Sequence, residues 1–388
     1  EEDSGAWQDF HSPGLVQVDL PDGLYRKKYY LNKKYKEADV LISVPCLKNH
    51  WSAAISGAVK NVGIGATPAN IYGIGPFNVG RNNMVAHDSK QGDLHKWIHD
   101  FYMCRPVDFV IMDGLQGIQN GPTPCYEISG TTDIKQDQMN MRLIIAGRDA
   151  VAVDTIEALL MNWDPESVGH LRFLNNSAAG NLDTACITVV GKQVDEVRKD
   201  FAGRIPVAGG VKIEDKTPPR FILKKARVKN GNLNLNLLAD AETHKVEVYI
   251  DGRLCKPIIT SGYENISTDI SFLGKGKHRV KICAYDRFLN HTEKETVIET
   301  SNISDGNYKA PRANNAPEID GLANDECWAK APWRSIKYLW LGAEPSPEDF
   351  SGRYKIVWTP EKLYFLVEIT DNVLSDVYGA PLFNYYKD

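Results

Sequence analysis

Two lysines, a histidine and an amide gather in one short stretch, ADVLISVPCLKNHWSAAISGAVKNVGIG, residues Ala38 to Gly65. Lys48 and His50 follow an apolar run, Val40–Val44, that stops at Pro45. Lys60 and Asn61 close a small-residue segment that begins at Ser52, ahead of Gly63 and Gly65. Two ammonium groups near a helix terminus suit an anionic ligand such as a phosphate or carboxylate. An imidazole there can serve as a base or a metal ligand. The plainer alternative is that Lys60 complements a helix C-terminus and His50 is a cap. Asp113 ends a second apolar run, Phe109–Met112, before Gly114 and, further on, Gly121-Pro122. A carboxylate leaving a strand can act as a base or bind metal, or simply make an Asp-Gly turn. Lys48, His50 and Asp113 are the candidate reacting groups.

His87 and His95 are the candidate metal ligands. His95 and His99 are four residues apart on an expected helix and share a face, although Lys96 rules out an HExxH zinc motif. Asp149 stands where it would cap a helix from Ala150. Asp154 lies one turn inside that apolar helix, with Glu157 nearby, and a buried carboxylate needs a partner; Lys60 is one candidate. Lys60, Asn61 and Asp154 are therefore the candidate ligand contacts in this part of the chain. The glycines at 63, 65, 73, 75 and 80 complete neither GxGxxG nor a P-loop, because Pro68 and Asn78 stand where glycine is needed. They read as a glycine-rich rim. There is no GxSxG and no carboxylate pair placed as in a glycosidase.

These residues require elements that bring strand ends together. Apolar runs at Val40–Val44, Phe109–Met112, Arg142–Ala146 and Ala185–Val190 alternate with helical patterns at Ser52–Asn61, Asp93–Tyr102, Ala150–Leu160 and Pro165–Asn175. That alternation predicts an α/β fold with a mainly parallel sheet, whose ligands bind at the carboxyl edge. After Lys216-Thr-Pro-Pro219 the helical period vanishes. Leu233–Leu238, Lys245–Ile250, Ser267–Phe272 and His278–Tyr285 alternate or run apolar, with turn signals between them, as in a small β-sandwich. A polar linker follows, then an aromatic, β-patterned end with strands at Tyr354–Trp358 and Lys362–Ile369. The expected domains are 1–215, 216–300, a linker over 301–315, and 316–388.

The chain has 388 residues with 45 basic and 50 acidic side chains, a net charge of −5, which gives no basic face for nucleic acid. No apolar run is long enough to span a membrane, and no signal peptide is visible. Seven cysteines are scattered without a CxxC, so a zinc ribbon or thioredoxin motif is absent. Cys255 and Cys283 fall in one β-rich region and could pair; buried free thiols are the plainer reading.

The stretches ADVLISVPCLKNH, GAVKNVGIG, VIMDGLQGIQNGP and AGRDAVAVDTIEALL, with His87 and His95, resemble the domain of unknown function 362 family over about residues 15–200. Members usually carry a further N-terminal βα portion, so the resemblance implies an incomplete domain. They usually show threonine where this chain has Asn49. The family lends no firm reaction, and the iron–sulfur cysteine motif of some relatives is absent. VEVYIDG and GKHRVKICAYD resemble strands of a bacterial immunoglobulin-like domain, which implies a spacer. IDGLANDECWAKAPW and GRYKIVWTPEKLYFLVEITDN resemble the opening of a family 9 carbohydrate-binding module, with its later strands missing. That resemblance implies sugar binding by aromatic stacking, with Trp333 and Trp358 as candidate platforms; sandwich core is the plainer role for Trp328, Trp333 and Trp358. It also implies an extracellular or periplasmic protein. The combined expectation is a secreted multidomain protein with an anion- or divalent-metal-binding α/β domain and a carbohydrate-binding-like module. The alternatives are a non-catalytic carbohydrate-binding or structural protein, and a component associated with glycoside hydrolysis.

Overall fold

The computed structural model describes residues 12–72, 93–122, 133–203, 210–229, 231–258, 262–270, 273–300, 308–336 and 350–371. His87 and the glycines at 73, 75 and 80 lie outside them.

The chain opens with an antiparallel hairpin, β1 (Leu15–Asp19) and β2 (Lys28–Asn32), and a helical turn, α1 (Lys33–Lys36). The strands β3 (Ile42–Ser43) and β4 (Cys46–His50) then lie one after the other along one side of β6 (Phe109–Ile118), both parallel to it. Pro45 separates them: it has no N–H to give to a ladder, although its carbonyl still accepts from Asp113 N at 2.8 Å. The strand β5 (Ala54–Ile55) turns back antiparallel on β4, and β7 (Leu143–Gly147) runs antiparallel along the far side of β6. The heart of this α/β sheet is thus parallel and its two edges are antiparallel.

Helices α2 (Ala58–Gly65), α3 (Ala69–Tyr72), α4 (Asp93–Cys104), α5 (Ala150–Leu160) and α6 (Gly169–Asn176) supply the other layer. Strand alternation sends Val110 and Met112 into that layer, where both are fully buried, and leaves Ile111, Asp113 and Leu115 on the opposite, exposed face. The run Val40–Val44, expected as a buried strand, is a strand only at Ile42–Ser43, and Val40 and Val44 are each 63% exposed. The helix expected from Ser52 starts six residues later, at Ala58, because Ala54–Ile55 are drawn into β5 and Gly57 stands at the N-cap. The strand expected at Ala185–Val190 is replaced by a 3₁₀ turn, Thr184–Cys186, capped by the Asp183 carboxylate. A short helix, α7 (Val194–Val197), ends the layer.

Seven strands follow. The first three are β8 (Phe221–Lys229), β9 (Asn232–Ala239) and β10 (Lys245–Ile250). Next come β11 (Arg253–Ile258), β12 (Gly262–Asp269), β13 (Gly276–Tyr285) and β14 (His291–Thr300). They form antiparallel sheets in the orders β11-β10-β13-β14 and β12-β9-β8. Leu233, Leu235 and Leu237 of one sheet pack against Val246, Val248 and Ile282 of the other, as a β-sandwich requires. Asp251-Gly252 makes the β10–β11 turn with both residues at positive φ, the conformation that Asp-Gly favours. The six described cysteines, Cys255 and Cys283 among them, are free thiols.

The outer face of β10 and of the second half of β13 is largely covered, with Lys245, Glu247, Cys283 and Tyr285 buried. Cys283, Tyr285 and Leu289 belong to the same core as the helices of the first region. His291 Nδ1 meets the Asp195 carboxylate at 2.7 Å, Arg287 pairs with Asp164 at 2.7 Å, and Arg198 donates to Asn290 Oδ1 at 2.9 Å. The last part holds a helical turn, α8 (Glu326–Ala329), and an antiparallel sheet of β15 (Arg334–Ile336), β16 (Phe350–Trp358) and β17 (Leu363–Asp371) around Trp328 and Val357. Among the described residues no helix is long and apolar enough to cross a membrane.

Candidate functional site

The residues expected to form one cluster occupy three places. At the first, β4 carries Lys48, Asn49 and His50 over the start of α2. His50 is 4% exposed. Its Nδ1 accepts the Ser52 backbone N–H at 3.1 Å, so Nδ1 holds a lone pair and the hydrogen sits on Nε2. Its ring stacks on Trp51 at 5.9 Å. Asn49 uses both ends of its amide, donating to Ala202 O at 2.7 Å and accepting from Gly121 N at 2.8 Å. A Cβ on Gly121 would lie 2.3 Å from Asn49 O, which explains the glycine. His50, Trp51, Asn120 and Trp163 line a small cleft here. Its free space is about 10 Å³, room for one water molecule and not for a sugar or nucleotide.

Beneath Lys48 lies a buried carboxyl pair. Asp154 Oδ1 and Oδ2 accept the backbone N–H groups of Ala58 at 2.6 Å and Val59 at 2.9 Å, the free donors of the α2 N-terminus. Glu157 Oε1 accepts Lys48 N at 3.2 Å. The partner expected for Asp154 was Lys60; the carboxylate is instead held by the end of α2. Both carboxyls converge on Gly57, where a Cβ would stand 2.3 Å from Asp154 Oδ1 and 2.4 Å from Glu157 Oε2. Only glycine lets them meet. Burial, opposed by the Val59 and Ala58 N–H groups, raises the Asp154 pKa to about 7. Burial and the neighbouring Asp154 charge push Glu157 well above the usual carboxylate range, against the Lys48 ammonium. Both shifts favour a protonated pair, and the proton belongs to the two carboxyls together.

The second place lies between α2, α4 and α6. Lys60 is 8% exposed and acts electrostatically on His95 and His170. The two imidazoles stack with Nδ1 atoms 2.8 Å apart. His95 Nδ1 also accepts the backbone N–H of His170 at 3.1 Å, so His95 carries its hydrogen on Nε2 and His170 donates from Nδ1. Burial, then the charges of Arg172 and Lys60, lower the His95 pKa to about 4. Burial, His95 and Lys60 lower that of His170. Gly169 allows the approach, since a Cβ there would be 2.8 Å from His95 Cγ. Asn61 points elsewhere: it is exposed and donates to Ser43 Oγ at 3.2 Å.

The third place is the exposed sheet face. Asp113 lies opposite Cys46 in the ladder, and its Oδ1 accepts Leu115 N at 2.9 Å. Alternation along β6 points it away from the helical layer that holds the carboxyl pair. No cluster of three or more His, Cys, Asp or Glu side chains fit to hold a metal occurs among the described residues.

Residues 2–158 match the family model described as Domain of unknown function (DUF362). The domain of unknown function 362 match thus covers the sheet, the α2 terminus and Asp154, and stops within α5. Residues 319–388 match the Carbohydrate family 9 binding domain-like model. No curated protein matches the chain. Among solved structures, the Clostridium perfringens spore cortex lytic enzyme SleM is 17% identical, over 21% of this chain and 29% of that one, with a TM-score of 0.20. The fibronectin(III)-like modules of Clostridium thermocellum CbhA are 19% identical, over 24% of this chain and 52% of theirs, with a TM-score of 0.21. The M60 catalytic domain with CBM51 domains from Clostridium perfringens ZmpB is 15% identical, over 57% and 25%, with a TM-score of 0.17. The chain therefore spans between a quarter and about half of these structures.

In the carbohydrate family 9-like region the tryptophans divide. Trp328 is 3% exposed and is core. Trp333 is half-buried, with Arg353 at 4.2 Å and Lys355 at 4.8 Å over its ring. Trp358 is 39% exposed, and its Nε1 donates to Ala310 O at 3.1 Å, which fixes the ring plane. Glu157 and His170 were not among the expected site residues. Glu157 carried a local signal, a second carboxyl three residues after Asp154 on the same apolar helix. His170 carried none, because its partner is 75 residues away.

Proposed function

We propose that this is an exported, multidomain glycan-binding protein, in which the C-terminal region attaches the chain to polysaccharide or cell-surface glycan. One observation carries the reading: residues 319–388 match the Carbohydrate family 9 binding domain-like model. The exposed, pinned ring of Trp358 is the surface best suited to stack on a sugar. Titration calorimetry of the whole chain with soluble oligosaccharides tests it. The expected result is measurable heat that Trp358→Ala reduces about tenfold in affinity, a loss of about 1.4 kcal/mol. No heat with any glycan sinks the reading.

A second reading concerns the domain of unknown function 362 region, as a site for an anionic ligand or divalent metal at Lys48 and His50. What supports it is the buried carboxyl pair with shifted proton affinities directly under Lys48, an arrangement that clusters at functional sites. Tight binding of phosphate or a divalent cation by the whole chain, lost in Lys48→Met, is the expected outcome. Equal binding by the variant places the ligand elsewhere.

A further inference from the structure

A chain of hydrogen bonds runs from the core to the surface at the C-terminal end of α6. Asp100 is fully buried and accepts five donors. These are the backbone N–H groups of Leu24 at 2.7 Å, Tyr25 at 2.7 Å and Arg26 at 3.0 Å, the Tyr29 hydroxyl at 2.8 Å, and His99 Nδ1 at 2.7 Å. A carboxyl that only accepts is ionised. Burial alone would raise its pKa, but these bonds outweigh burial and hold it below the usual carboxylate value. The hydrogen of His99 is therefore on Nδ1, and Nε2 keeps its lone pair. That Nε2 lies 2.9 Å from Ser177 Oγ, so the serine hydroxyl donates to it. His99 is 3% exposed, whereas Ser177 is exposed, one residue past α6. Phe173 packs edge-on against the imidazole, 6.4 Å between centroids, and helps fix its plane.

We propose that Ser177, His99 and Asp100 form a nucleophile–base–carboxylate relay that gives the α/β region an acyl-transfer activity on esters. The roles follow from the tautomers: Ser177 is the nucleophile, His99 the general base, and Asp100 positions the imidazole. Ser177 Oγ attacks the ester carbonyl carbon while its proton passes to His99 Nε2. The tetrahedral adduct collapses, the C–O bond to the alcohol breaks, and the alcohol leaves with the proton from His99. Water, deprotonated by the same nitrogen, then hydrolyses the acyl-serine and releases the carboxylic acid. The sum is ester plus water giving acid plus alcohol, with no other reactant. The sequence conceals this arrangement. Ser177 lies outside any GxSxG, and 78 residues separate it from His99.

The test is intact-protein and peptide mass spectrometry of the whole chain treated with a fluorophosphonate, together with turnover of p-nitrophenyl acetate. One phosphonyl adduct on the Ser177 peptide is expected, and it is lost in Ser177→Ala, a substitution at an exposed position whose folding is checked by an unchanged thermal melt. His99→Ala lowers labelling and turnover by about 100-fold or more, and free imidazole restores part of both, which a structural role for His99 would not produce. An adduct that persists in Ser177→Ala, or no adduct on the wild-type chain, overturns the proposal.

Discussion

The helical layer of the first region and the interior of the seven-stranded sandwich are closed in opposite ways. Between α2, α4, α5 and α6, the side chains of His95, His99, Asp100, Asp154, Glu157 and His170 all lie at 3% exposure or less. Between the two sheets of the sandwich the filling is dominated by Leu, Val and Ile. Of its buried charges, Lys245 and Glu247 sit on the other side of β10, where Lys245 donates to Ile187 O of the first region, and Asp286 lies in the turn after β13. An apolar interior is specified by volume and is tolerant of pH. An interior with carboxyls and imidazoles is specified by direction, and replacing such groups with well-packed hydrophobes often does not weaken a protein. The first region therefore keeps a set of costly groups, some of which hold backbone N–H groups in place, and that is where function is to be sought.

The largest effect that sharpens this contrast is in the sandwich. Ile282→Ala should cost about 2–5 kcal/mol, and the loss should be the same at pH 5 and pH 8, because no titrating group faces it in the apolar filling. Urea unfolding at the two pH values checks this. A strongly pH-dependent loss would break the comparison.

Next comes the carboxyl pair. The folded pKa of Asp154 is raised to about 7, and that of Glu157 is raised well above the usual carboxylate range. The stability they contribute is complete below their unfolded values and is lost as pH rises through the folded ones. Glu157→Gln imitates the protonated acid. It should change little at pH 5 and stabilise at pH 8, by about 1.4 kcal/mol for each pKa unit relieved. Thermal melts across this range decide the matter, and equal melting temperatures at pH 8 would count against a shared proton.

The histidine pair gives the smallest effect and the opposite sign. Both folded values are lowered, His95 to about 4. Their contribution is complete above pH 6.5 and is lost as pH falls through the folded values. His170→Asn keeps a donor where Nδ1 stands. It should cost about 1 kcal/mol at neutral pH and flatten the acid limb by close to one proton. An unchanged acid limb would show that the imidazoles are not the titrating groups.

Local patterns carried much of the fold. α5 begins and ends where its apolar period does, and Asp149 caps it by accepting Ala152 N at 3.0 Å. The strand Lys245–Ile250 is present with the same bounds, because Val246, Val248 and Ile250 alternate cleanly. The failures have physical reasons. Val40–Val44 reads as a strand covered on both faces, but the helices cover one face of its sheet, and periodicity cannot count layers. Ala185–Val190 has the composition of a strand, yet Asp183 caps a turn there and Ile187 O is taken by Lys245 from the sandwich, so tertiary contact overrides propensity. The sites were harder still. Lys48, His50 and Asp113 are close along adjacent strands, but alternation and the bulge between Cys46 and Lys48 set which way each points. The Asp154–Gly57 contact and the Ser177–His99 bond join residues far apart in sequence, and no local pattern records them.

Cys283 and Tyr285 on the outer face of β13, with Leu289 of the turn that follows, finish the core of the first region. A gene fragment cut at the Lys216–Pro219 joint would strip that face away. The piece left would expose apolar surface and stick to its neighbours, so expression of the α/β region should extend through Thr300. The same seam ties the sandwich to the Asp195–Arg198 stretch through His291 and Asn290, so a cut there would also leave the Asp195 carboxylate and the Arg198 guanidinium without these partners.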